Sequence, residues 1–110
     1  MDTMTLGAEA AMDPFRALLE SILEHCKDYI RRDVDLRALR VTGDSVTETG
    51  HIEIVLTKDT WEDQARAIDH MIEIRQMFID DISLSYEFVR PEDWQPSETL
   101  PSRSEFVYAV

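Results

Sequence analysis

One cysteine, three glycines and only eleven basic residues in a chain of 110 remove most of the chemistry that announces itself in sequence. Cys26 alone cannot build an intrachain disulfide framework or a paired-cysteine zinc site, and it suits a reducing compartment. Gly7, Gly43 and Gly50 never cluster, so there is no glycine-rich phosphate loop and no nucleophile elbow. Lysine and arginine are outnumbered by 23 acidic residues, for a formal charge of −12. On average such a field repels nucleic-acid phosphates and anionic lipid. No run of eighteen apolar residues is present to span a membrane. Asp2 and Glu9 stand where a secretory signal would carry basic residues and then an apolar core. These features point to a cytoplasmic protein with no membrane partner, no nucleic-acid partner and no cofactor.

What is present is an ordinary share of apolar residues, 44%, enough for one core but not two. Residues 1–11 show no periodicity and read as a flexible leader, 12–90 as a single α+β domain, and 91–110 as an irregular extension with an edge strand at 104–110. Asp13 followed by Pro14 is an N-cap with proline at the first helical position. Phe15, Leu18, Leu19, Ile22, Leu23, Cys26, Tyr29 and Ile30 then recur on one helical face. Val34, Leu36 and Ala38 alternate before Leu39 and Val41 switch parity, which predicts a strand with a bulge. Gly43 and Asp44 suggest a turn, and Ile52, Ile54 and Leu56 a second strand closing a hairpin. Ile82, Leu84, Tyr86 and Phe88 alternate with smaller or polar residues, as in a sheet with one face on helices and one in water. The order helix, strand, strand, helix, strand predicts a two-layer α+β sandwich with two helices on one face of a mostly antiparallel sheet.

The second helix, from Thr60 to Ile79, carries more apolar surface than one neighbour needs. Asp59 is its expected N-cap, with Glu62 completing a capping box. Trp61, Ala65, Ile68, Ile72 and Ile79 form one stripe, the set expected to lie on the sheet. Ala67, Met71, Ile74 and Phe78 form another at heptad spacing, which either the first helix or a partner protein must cover.

Candidate sites are few, and no catalytic, cofactor-binding or metal residue is expected. His70 with Glu73, and His25 with Asp28, have the i, i+3 spacing of helical metal ligands, and Asp69 lies beside His70, but each is half a site. Ser45 and Cys26 are no stronger as nucleophiles, and Cys26 falls on the apolar face of its helix, as a small core residue would. Lys27, Arg31, Arg32, Arg37 and Arg40 gather basic charge at the end of the first helix, the one candidate surface for an anion or RNA. Trp94, Phe106 and Tyr108 concentrate aromatic surface in the C-terminal extension, and with Ala67, Met71, Ile74 and Phe78 they are the candidate protein interface. The final strand could also add to the sheet of a second molecule.

The order of elements resembles the type II KH-like arrangement of ribosome maturation factors, although the GxxG loop of RNA-binding KH domains is missing. The acidic composition is similar to that of secretion chaperones and of immunity or inhibitor proteins. The expected function is a non-enzymatic acidic module that binds a protein, a basic one or a second copy of itself as a homodimer. A KH-like RNA- or ribosome-associated factor acting through the basic cluster is the alternative.

Overall fold

The computed structural model describes residues 13–95 and 104–109 of the chain. It is an α+β fold in the order α1 (Pro14–Ile30), β1 (Leu36–Asp44), β2 (Thr49–Leu56), α2 (Trp61–Met77), β3 (Ser83–Phe88) and β4 (Ser104–Ala109). The sheet order is β3-β2-β1-β4. β1 pairs antiparallel with both β2 and β4, while β3 pairs parallel with β2. A parallel neighbour needs a crossover rather than a tight turn, and α2 supplies it.

α1 starts as its sequence implies. The Asp13 carboxylate accepts from the backbone N–H groups of Phe15 at 3.0 Å and Arg16 at 3.5 Å, with Pro14 in the first turn. Its face of Leu19, Ile22, Leu23, Cys26 and Ile30 is buried, and Phe15, Leu18 and Tyr29 pack at the margin. Leu39, Val41, Ile52, Ile54 and Leu56 meet that face from the sheet. The hairpin forms with a register shift between Leu36 and Ala38, where the parity of the apolar residues changes.

Gly43 and Asp44 do not make the turn. The strand continues through both, and the reversal runs over Ser45–Glu48, with Glu48 at φ 56° and the Asp44 carboxylate accepting from the Val46 N–H at 2.9 Å. Gly43 and Gly50 lie opposite each other in register on the core face. A Cβ on Gly43 would come within 2.8 Å of Leu19 Cδ2, and one on Gly50 within 2.9 Å of Leu84 Cδ2. Both glycines make room for close packing.

α2 departs from the sequence reading in two ways. Its N-cap is Thr60, whose hydroxyl accepts from the Asp63 N–H at 3.3 Å, while Asp59 instead accepts from the Gln64 side-chain amide. Its buried stripe is the heptad one. Ala67, Met71, Ile74 and Phe78 enter the core beside α1, where Met71 Sδ meets Cys26 Sγ at 3.9 Å. These four residues therefore present no surface to a partner, and the stripe of Trp61, Ile68, Ile72 and Ile79 is left outside. The reason is positional: α1 packs over β1 and β4, so α2 finds its packing against α1 and β3 at the margin of the sheet.

The two arcs can be told apart by neighbouring substitutions. Met71→Ala should cost about 2–5 kcal/mol in urea unfolding through the cavity it leaves. Ile72→Ala, one residue on but 57% exposed, should change stability by about 0.5 kcal/mol or less.

Candidate functional site

Turning at about 100° per residue, α2 places Trp61, Ile68 and Ile72 in an arc roughly 40° wide, and Ile79 continues it just past the helix end. Trp61 is 74% exposed, Ile72 57% and Ile79 60%. Large apolar side chains exposed along one side of a helix make this row the first candidate for a contact surface. Between this row and β3 runs a groove of about 410 Å³ lined by Ile72, Arg75, Gln76, Ile79, Ile82, Ser83 and Leu84.

The floor of the groove is an edge strand. The Ser83 N–H donates to Glu48 O at 3.0 Å and the Val89 N–H to Ile54 O at 2.9 Å, which bracket the parallel ladder. Alternate residues of β3 therefore turn their amides toward β2, leaving the N–H and C=O groups of Leu84, Tyr86 and Phe88 directed outward. No neighbour pairs with them among the described residues. Natural sheets guard such edges with lysine, proline or bulges, and β3 has none of these. Asp69 and Glu73 on α2 and Asp80 after it are exposed, and Arg75 is the one cation lining the groove.

The opposite face of the sheet carries two polar groupings that sequence reasoning missed. Parallel register sets His51 beside Ser85. His51 Nδ1 lies 2.8 Å from Ser85 Oγ, and His51 Nε2 lies 2.8 Å from Glu87 Oε2. The order of hydroxyl, imidazole and carboxylate is that of a nucleophile, its base and an orienting acid. Here the ring and Glu87 are 38% and 54% exposed, and the amides of Ser85 and Glu87 are turned toward β2. The three groups link β2 to β3 across the strands. The residues are more than thirty positions apart, and only their shared parity within two strands hinted at a meeting.

The second grouping centres on Arg40. Its guanidinium lies 3.2 Å from Glu53 and 3.7 Å from Glu105, donates to the Gln95 carbonyl, and stacks 5.2 Å from the Trp94 ring. One half-buried cation thus joins β1, β2, β4 and the segment after β3. That role removes Arg40 from the basic cluster expected from the sequence. The other members divide as well: Lys27 pairs with Glu24 at 2.8 Å and lies with Arg31 against the Tyr108 ring, while Arg32 covers Tyr29. Arg37 is exposed on β1.

The aromatic residues of the C-terminal segment are occupied by their own domain. β4 pairs with β1 of the same chain, Phe106 lies under Arg16 at 4.8 Å, Tyr108 against Lys27 and Arg31, and Trp94 against Arg40. His70 turns from Asp69 and Glu73 to Asp33 on the other helix connection, at 2.7 Å. His25 donates from Nδ1 to the Ser21 carbonyl at 2.8 Å and meets Phe78 edge-on, not Asp28. No group of three or more potential metal ligands forms among the described residues. Ser45 sits in the exposed hairpin turn.

Cys26 is buried, and burial pushes its thiol up to about 12 from an ordinary 9.0. The folded state then holds one proton more than the unfolded state between those values. The contribution is complete below pH 9 and is lost as pH rises toward 12. A thiol reagent at pH 8 should react with native protein only as fast as the chain opens, and at once in urea; rapid native labelling would contradict the buried thiol. Arg40→Met should cost about 1–3 kcal/mol in urea unfolding, because Glu53 loses its ion pair and Glu105 one of its partners. Hydrogen exchange should show β4 losing protection first.

No helix among the described residues is long and apolar enough to cross a membrane. Comparison of the chain with protein-family models, with curated proteins and with solved structures yields no match.

Proposed function

We propose that this protein is a non-enzymatic acidic module, protein-binding or regulatory in role, whose contact surface is the outer row of α2. The observation that carries the reading is the exposure of Trp61, Ile72 and Ile79 along one line above a groove. Apolar anchors beside a pocket are the usual source of affinity in protein interfaces, and charge around them sets encounter rate and partner choice. With a formal charge of −12, the surface favours a basic protein over a second copy of this chain. Self-association through the same row is the competing arrangement. The lone buried thiol suits a cytoplasmic setting.

The test pairs the native protein with an Ile72→Glu/Ile79→Glu variant, both exposed positions, after circular dichroism has established that both are folded. Native protein should retain basic polypeptides at physiological salt and the variant should retain about a tenth as much. Equal retention by the two, or a native mass in light scattering that doubles with concentration while nothing basic is retained, would defeat the reading.

A further inference from the structure

The helix that bridges β2 and β3 overhangs the sheet. α2 buries Ala67, Met71, Ile74 and Phe78 on its inner arc, and its next arc, Trp61, Ile68, Ile72 and Ile79, projects beyond β3. The N–H and C=O groups of Leu84, Tyr86 and Phe88 face outward from β3, and Ile72 and Ile79 line a groove with Ile82, Ser83 and Leu84 at the start of that edge. Apolar side chains beside backbone groups that no described residue pairs have the shape of a sheet lacking one strand.

We propose that the β3 edge accepts an extended segment of a partner protein as an additional strand, and that this segment alternates apolar and basic residues. The inference rests on the protein-binding reading and specifies its mode. Backbone pairing with Leu84, Tyr86 and Phe88 supplies affinity that depends little on sequence, and the alternation of strand side chains supplies the specificity. Side chains directed toward α2 enter the groove between Ile72, Ile79, Ile82 and Leu84, which is apolar apart from Arg75, Gln76 and Ser83. Side chains on the other parity emerge beside Glu87, and Asp69, Glu73 and Asp80 add exposed negative charge on α2 and just after it. Those positions suit lysine or arginine. A second copy presents the same carboxylates to themselves, so charge complementarity selects the basic partner.

The probe is a short synthetic peptide alternating isoleucine and lysine, used with three companions: one with glutamate replacing lysine, one N-methylated on alternate amides, and the Ile72→Glu/Ile79→Glu protein. The lysine peptide should bind the full chain and slow hydrogen exchange at the amides of Leu84, Tyr86 and Phe88. Glutamate replacement, N-methylation and the protein variant should each weaken binding about tenfold or more. Tight binding of the N-methylated peptide, or binding with no added protection at those three amides, would overturn strand addition. If the helix variant still abolished such binding, the protein-binding reading would stand without it. Failure of the lysine peptide to bind, or equal affinity for the glutamate peptide, would overturn the proposed partner chemistry. Protection of the same amides in protein alone, rising with concentration alongside a doubled mass, would assign the edge to a second copy and overturn the proposal.

Discussion

The seating of α1 on the β1–β4 half of the sheet governs the rest of this structure. α1 packs against β1 and β4 and takes the central apolar residues of the hairpin, leaving α2 a seat between α1 and β3. A helix seated at a margin can bury only one arc against its own domain. The contact of Cys26 with Met71 is where the two helices lock, and it selects the arc that turns inward. The exposed row, the groove and the uncovered edge of β3 all follow from that displacement.

The far face of the sheet is organised by charge. Ala38 and Val55 are opposite each other there and buried, although they lie outside the main core. The chain leaving β3 passes over this face and is held by Arg40, whose carboxylate partners come from both neighbouring strands. A cation so enclosed is costly to desolvate and is retained because its partners would be worse without it. The same residue fixes the segment of Trp94 and Gln95 against the sheet. Tyr108 and Phe106, under cations of α1, hold the far edge from the helical side.

Local patterns in the sequence were readable wherever one neighbour decided the outcome. The Asp13 and Pro14 start of α1, the apolar face through Ile30, the bulged first strand and the alternation of β3 all depend on short-range periodicity. The choice between the two arcs of α2 was not readable. Both are apolar, and their sorting depends on where α1 sits, which no window of residues contains. Gly43 suggested a turn, but its lack of a side chain answers to Leu19 and Phe15 on another element. Arg40 looked like part of a surface cluster, and the pairing of three strands placed it among carboxylates. The exposed row itself was visible as a stripe; its location at the sheet edge was not.

The central position of β1 also shapes how the chain assembles. One of its neighbours, β2, follows directly through a short turn, so that pairing closes a small loop and can form early. The other, β4, begins at Ser104, after the whole α2 crossover and the segment held by Arg40. Until that distant strand arrives, β1 offers a second uncovered edge in Leu36–Asp44, a nine-residue strand with Leu39 and Val41 on its apolar face. Slow, non-local closure of this kind exposes newly made chains to mispairing. A formal charge of −12 makes unfinished copies repel one another while β1 waits for its second neighbour.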